Sequence, residues 1–424
     1  MKSTGSIRQT LTAVTAALVG ATPAGASGVN HSETSLLLYN ERDRVHATEA
    51  IFSLDKQLKN EYRFNMRLTY DGLTGASPTG GSPAKNAQTI TRPSGGARTV
   101  VPAGAIPIDK SFAETRFALD LGLGRKLSSV TTANAGAHIS SEHDYTSLGL
   151  NGGISYDFNQ ARNSIGLSAS INRDVVKPLL GVPTPYVSVN EDAEIIDHQR
   201  ITNGNRKKYV YDVVVSFTQV VDPKTLLRLS YSLDYATGYL TDPYKIFSVV
   251  QPNDSVNAGD PVDQLHENRP GKRVGNAASA DIRKYVWGTI VETGYRYFFD
   301  DWGVKSHTVD LSVKADLKKI GSFEPHVRYY TQGRADFSRP FLVQGTSVPD
   351  YVSADSRLAA FSAITYGMAW TIPTSATSRL TFAADIYTQR GDASPPEAFG
   401  PLKDITMFPD LRAVMLRVGL AHDF

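Results

Sequence analysis

The chain of 424 residues contains no cysteine. That excludes disulfides, thiolate metal sites, a cysteine nucleophile and a lipidated cysteine anchor. No net charge of consequence is present either: 44 Lys and Arg stand against 42 Asp and Glu, so no basic surface for nucleic acid is indicated. Beyond the N-terminal segment, no run of about 18 apolar residues occurs, so no transmembrane helix is expected. Enzyme signatures are missing too. There is no G-x-S-x-G, no H-E-x-x-H and no Gly-rich phosphate loop. Ser306 and His307 are adjacent, which on a strand sends base and nucleophile to opposite faces. The reading is therefore of a chain that is not an enzyme and needs no cofactor.

What is present begins with an export signal. Lys2 and Arg8 precede the modestly apolar TLTAVTAALVGAT (10–22), and Ala24-Gly25-Ala26 follows as an A-x-A cleavage site. Residues 1–26 read as a signal peptide and 27–424 as one mature domain.

The mature chain is patterned with period two. In YRFNMRLTYD (62–71), Tyr62, Phe64, Met66, Leu68 and Tyr70 alternate with Arg63, Asn65, Arg67, Thr69 and Asp71. The same contrast returns near 115–123, 148–158, 209–221, 227–235, 287–299, 309–317, 323–331, 358–372, 380–388 and 414–424. Such a strand has two faces that meet different solvents. Short connections, such as 58–61, 159–163, 221–225, 317–322 and 373–378, alternate with long ones at roughly 72–113, 175–206, 237–275, 333–355 and 390–411. Loops of that length are uncommon in compact domains, whereas short turns at one end and long loops at the other typify outer-membrane barrels. Aromatics gather at strand ends on the apolar face, among them Tyr62, Tyr70, Phe158, Tyr235, Trp287, Phe299, Trp370 and Phe424. Rings of that kind suit the headgroup level. The fold expected is all-β: an antiparallel transmembrane barrel of about 16 strands, with short periplasmic turns, long extracellular loops and the bacterial outer membrane as its location. Lipid and lipopolysaccharide would contact its wall. The final strand, ending in a bare Phe424, reads as the signal for barrel-assembly machinery, although His422 replaces the usual aromatic or apolar residue.

The candidate lumen-lining residues are Arg63, Arg67, Arg116, Asp120, Arg228, Asp234, Glu292, Arg296, Asp310 and Arg328. Rings of charge set selectivity in a pore, while mixed signs equally describe ladders of cross-strand ion pairs. In the loops, DGLTGASP, GYLTDPYK and FFDDWGVKSH single out Asp71, Ser77, Asp242, Asp300, Asp301 and Trp302 as a ligand or partner surface. The plainer reading is turn chemistry, since Gly and Pro set turns and Asp caps them. No metal site is expected. Glu142, His143 and Asp144 are consecutive and point apart, and the acidic run Glu191, Asp192, Glu194, Asp197, His198 lacks EF-hand spacing. EDAEII (191–196) is a candidate helical turn.

Several phrases together, LYNERDRV (38–45), YDGLTGASP (70–78), EHDY (142–145), GYLTDPYK (238–245), YRYFFDDWGVKSHT (295–308) and RYYTQGRADF (328–337), resemble an uncharacterised outer-membrane family, the domain of unknown function 3570. The resemblance runs from about residue 35 to the C-terminus. It implies a bacterial outer-membrane barrel and no particular activity. It also implies association with a flavin-transferring periplasmic enzyme, a thioredoxin-like protein and a small envelope partner. Two functions follow as expectations: a porin-like channel for small hydrophilic solutes, or a barrel blocked by loops or a small partner that serves export or assembly.

Overall fold

The computed structural model describes residues 30–42, 44–90, 99–178, 181–189 and 204–424. The signal peptide and the acidic run 191–198, with its candidate helical turn, lie outside the described residues. Sixteen strands close into one antiparallel barrel. In chain order they begin with β1 (His31–Glu41), β2 (Val45–Gln57), β3 (Tyr62–Pro78), β6 (Ile108–Lys126), β7 (Thr131–Ser141) and β8 (Tyr145–Phe158). They continue with β9 (Asn163–Val176), β10 (Arg206–Asp222), β11 (Thr225–Gly238), β14 (Lys272–Val286) and β15 (Thr289–Asp300). The last are β16 (Lys305–Asp316), β17 (Ser322–Gln332), β19 (Phe361–Pro373), β20 (Ser378–Gly391) and β21 (Leu411–Asp423). Five further strands lie in the loops: β4 (Gln88–Ile90), β5 (Thr99–Val101), β12 (Ile246–Val250), β13 (Pro261–His266) and β18 (Phe341–Val343).

Closure is made by β1 against β21, with Leu36 opposite Val418. It leaves no unpaired edge, which is the condition for strands in lipid. The outward side chains carry the apolar half of the alternation. Leu36, Leu38, Leu148, Leu150, Leu229, Leu233, Met368, Ile386, Leu416 and Val418 are all exposed to the surroundings. In water that many bare aliphatic groups would be a liability; against acyl chains they are the favoured surface.

The end at which β1 begins and β21 finishes has only tight connections. At 287–288, Trp287 and Gly288 both take positive φ, 49° and 84°, and Val286 pairs directly with Thr289. This is the two-residue turn whose twist matches the strands, and Gly288 supplies the conformation without strain. Trp287 stands almost fully exposed at its tip, at the level where an indole sits well in headgroups. At the same end, His422 stacks on Phe424 with ring centroids 6.0 Å apart. The imidazole thus occupies the place of the aromatic ring usual at that position.

The other end differs from the sequence reading in one respect. Asp71 and Ser77 are not loop residues. β3 runs to Pro78 and β6 starts at Ile108, so the connection is 79–107 rather than 72–113. Past an irregularity at Gly75, Ser77 still pairs with Asp109 and Pro78 with Ile108. Along this extension the strand stays tied to its sheet neighbour: Ala76 N donates to Arg44 O, and a Cβ on Gly75 would strike that same carbonyl. The apolar alternation stops at Asp71 while the strand continues.

Candidate functional site

Two regions hold the candidate residues: the inner wall and the loops over the long-loop end. The ten candidate wall residues each lie between outward-pointing neighbours, and so stand at inward positions. Strand register sorts them into rows. Arg228 lies opposite Asp281, Asp281 opposite Gly294, Gly294 opposite Asp310, and Asp310 opposite Arg328. Asp310 and Arg328 are 3.6 Å apart and both half-exposed. A second row runs Arg283, Glu292, Ser312, His326, Gly367, Asp385. Its ion pairs are Arg283 with Glu292 at 2.5 Å and His326 with Asp385 at 3.0 Å. Arg67 faces Asp120, which is 2.6 Å from His138 Nδ1. Arg63 Nη2 donates to Asp55 at 2.7 Å. Arg116 lies 2.6 Å from Asp71 and 3.6 Å from Glu49. Asp234 faces Asp212, and the Ser170 hydroxyl donates to Asp212. Arg296 lies over the Phe298 ring, 5.6 Å from its centroid. The signs are interleaved rather than segregated.

The long loops form a cap. Loop 79–107 rises between the third and fourth barrel strands, 239–271 between the ninth and tenth, and 333–360 between the thirteenth and fourteenth. They nonetheless touch. Ile246 N donates to Thr79 O at 3.0 Å, Ser82 N to Ser248 Oγ at 2.9 Å, and Ser82 Oγ to Pro340 O at 2.9 Å. β12 pairs with β13 antiparallel and with β18 parallel, in one sheet contributed by two loops. Loop 392–410 joins through an apolar cluster of Val250, Phe341, Ala398 and Leu402. Loops anchored on separated arcs of a rim meet only by crossing the opening, so the cap spans the mouth.

Within it five largely buried charges, Asp242, Lys245, Glu267, Arg269 and Asp355, are joined by the partly exposed Arg357. Arg269 is 2.5 Å from Glu267 and 2.7 Å from Asp355. Arg357 reaches Asp242 at 2.7 Å and also pairs with Asp355. Ser353 Oγ donates to Glu267, and Lys245 Nζ donates to the Pro78 carbonyl. Burial pushes the Glu267 carboxyl up, against the pull of Arg269. Burial also acts to raise Asp355, but Arg357, Arg269 and Lys245 more than reverse it and hold that carboxyl well below its ordinary range. Burial lowers Lys245.

Of the loop residues singled out by sequence, Asp242 belongs to this set. Asp300, at the end of β15, accepts from Trp302 N and Val304 N and pairs with Arg273 at 2.5 Å. Asp301 accepts from Val274 N. Trp302 is buried with Val304, Ala335, Phe337 and Leu358, and its Nε1 donates to Lys272 O. Turn chemistry therefore accounts for much of Asp300, while the Asp301 side chain is tied to β14. Lys245, Glu267, Arg269, Asp355 and Arg357 were not singled out. A faint signal exists: Glu267-Asn268-Arg269 and Asp355-Ser356-Arg357 repeat acid-x-Arg in two long loops.

Ser306 is buried while His307 bonds to the Tyr295 hydroxyl at 2.7 Å, so the two do not cooperate. Glu142 and Asp144, two residues apart, do converge with Glu114, their ligand oxygens within 4.8 Å of one another. A hard cation accepts such oxygens, though Asp144 already accepts from Tyr244 OH at 2.6 Å.

A closed antiparallel barrel with an apolar outer band and a charged interior defines an outer-membrane-type β-barrel. Within that class, a family model described as "Protein of unknown function (DUF3570)" matches residues 8–422, and the chain belongs to that family. No curated protein sequence matches it. Among solved structures it is similar to a bacterial polysaccharide outer membrane secretin, at 8% identity over 94% of this chain and 100% of that one, with a TM-score of 0.46. It is similar to OccK5 (OpdH) of Pseudomonas aeruginosa at 10% identity, over 93% and 98% of the two chains, with a TM-score of 0.41. Against a mutant ferric enterobactin receptor, PfeA, of Pseudomonas aeruginosa the values are 10%, 86% of this chain, 54% of that chain and 0.42. The chain thus spans about half the length of that receptor.

Proposed function

We propose that this protein is a non-catalytic channel of the bacterial outer membrane, passing small hydrophilic solutes through a mixed-charge lumen whose mouth is restricted by the loop cap. The observation that carries the reading is the combination of a sixteen-strand wall lined with half-exposed ion pairs and loops tied across the opening. Barrels of this strand number are wide enough for water. Interleaved signs favour weak ion selectivity. Lipid and lipopolysaccharide contact the outer band, and barrel-assembly machinery reads the strand that ends in Phe424. A second reading is supported by the extent to which the cap is stitched: a closed barrel that acts in export or assembly with periplasmic redox or flavin-transfer proteins and a small envelope partner.

Single-channel recording in planar bilayers tests both. The proteins are the refolded wild type, Arg296→Ala, Arg328→Ala and a cap variant, Asp355→Asn. Stable steps in the wild type, with altered size or ion preference in the two arginine variants, support the channel. Silence from wild type and cap variant alike, in heat-modifiable and therefore folded barrels, excludes it and favours the assembly reading.

A further inference from the structure

At the long-loop end of β9, β10 and β14, charged residues come as neighbours: Arg173-Asp174, Lys207-Lys208 and Lys272-Arg273. One of each faces the lumen and the other the surroundings. The inward members are paired, Lys208 lying 3.2 Å from Asp174 and Arg273 2.5 Å from Asp300. The outward members, Arg173, Lys207 and Lys272, are exposed and, among the described residues, make no ion pair. Register draws them together. Arg173 lies opposite Tyr209, Tyr209 opposite Thr237, and Thr237 opposite Lys272, so cations end a row that crosses four strands. Lys207 stands above Tyr209, opposite Val175. The ends of the row are three strand spacings apart, about 14 Å. Every other outward residue of 163–175, 207–221, 225–237 and 272–284 is uncharged, save Lys284 at the short-turn end. Asp301, just past β15, is held by Val274 N. Tyr211 and Tyr235 lie directly below the row, their rings 5.9 Å apart, with Lys272 Nζ 5.7 Å from the Tyr235 centroid. Below them come the exposed Val213, Val215, Ile171 and Leu233.

We infer that Arg173, Lys207 and Lys272 form a site on the outer wall for the phosphates of lipopolysaccharide. Tyrosines above an apolar band mark the headgroup level, and the long-loop end sets that level in the outer leaflet. The glycolipid of that leaflet carries phosphates at both ends of a disaccharide, directly above its acyl chains. Cations spread along a row, directly above a band of aliphatic side chains, complement that order of groups. Arginine grips phosphate oxygens as a fork and lysine as a point charge. The inference rests on the outer-membrane placement and deepens it by assigning the lipid contact to three residues. It does not depend on whether the lumen conducts.

The test is native mass spectrometry of the refolded, full-length barrel released from detergent. The probes are diphosphoryl lipid A, the same lipid stripped of its phosphates, and phosphatidylglycerol. Saturable retention of diphosphoryl lipid A is expected, stronger than that of either other lipid. The Arg173→Gln/Lys207→Gln/Lys272→Gln variant, all three positions being exposed, should stay heat-modifiable and bind it at least about tenfold more weakly. Lys272→Gln alone should weaken binding about fivefold and serves if the triple variant fails to fold. A charge-matched control at the short-turn end, Lys224→Gln/Lys284→Gln/Lys319→Gln, should bind as the wild type does. Equal loss in the control overturns the site, because any cation would then do. So does equal retention of phosphate-free lipid or phosphatidylglycerol, or unchanged affinity in the folded variants. Folded barrels that retain no lipid of any class overturn it too, and in that case the outer-membrane placement fails with it.

Discussion

The wall and the cap both consist largely of opposite charges brought together, but they do so in different solvents. Asp310 and Arg328 in the wall keep 50% and 36% of their side chains exposed, whereas Asp355 in the cap keeps 2%. Water in the lumen screens the first pair, and such pairs contribute only about 0–1 kcal/mol. Desolvated partners behave otherwise. Their net contribution as a set is small, but removing one member strands the others at a cost of about 3–5 kcal/mol. The wall is therefore tolerant residue by residue, and the cap is all-or-none. A wall so built can vary its charges with little loss of stability.

Asp355→Asn attacks that difference where the effect is largest. It leaves Arg269 buried, and Arg357 partly so, without their shared carboxylate and should destabilise the cap by about 3–5 kcal/mol. Limited proteolysis and amide exchange should show 239–271 and 333–360 opening while the barrel remains heat-modifiable. Unchanged protection would mean that the apolar clusters, not the charges, hold the cap. Acid should act on the same group. The Asp355 carboxyl is held below its ordinary value of 3.8, so its contribution is complete above that value and is lost as pH falls below it. Glu267 is pushed the other way, above 4.5. Its folded form takes up a proton more readily than the unfolded, so its titration alone does not loosen the cap. Protection is thus expected to hold from neutral pH to about 4 and to fall only in stronger acid, followed by protease susceptibility with an acid-active protease.

The same difference explains what the sequence discloses. The wall is written in a local code. Leu148, Leu150 and Ile154 announce lipid every second residue, and sixteen strands are legible because each meets the same two solvents. Asp71 and Ser77 read as loop because the alternation ends at Asp71, although strand hydrogen bonding continues beyond it. The cap has no local code. Asp242 meets Glu267 and Arg357, 25 and 115 residues away, through the folds of two loops. Nothing in the neighbourhood of any one of these residues specifies the others.

A smaller effect is expected at a wall position where geometry, rather than charge, is limiting. Gly367 lies between His326 and Asp385 in its row, and a Cβ there would collide with both side chains. Gly367→Ala should break the 3.0 Å His326–Asp385 pair and destabilise the barrel by about 1–3 kcal/mol through overpacking. The urea midpoint of the refolded protein reads this. A neutral result would show that the lumen has room for both side chains to swing inward, and so that the wall is more loosely filled than the row suggests.

The smallest stability effect, and the most informative about function, belongs to Arg328→Ala. With Asp310 it forms a 3.6 Å pair in the wet lumen, so the urea midpoint should shift by less than about 1 kcal/mol. A double-mutant cycle with Asp310→Ala should return a coupling of only about 0.2–1 kcal/mol. Yet each single substitution removes one sign from a row in which Arg228, Asp281, Asp310 and Arg328 balance. Arg328→Ala should therefore move the reversal potential under a salt gradient toward cations, Asp310→Ala toward anions, and the double variant back to the wild-type value. Opposite and cancelling shifts with almost no change in stability are what a wall of screened pairs around a conducting lumen must give. A large stability loss without a shift in reversal potential would instead place Arg328 among the locked charges, and the distinction between wall and cap would fail there.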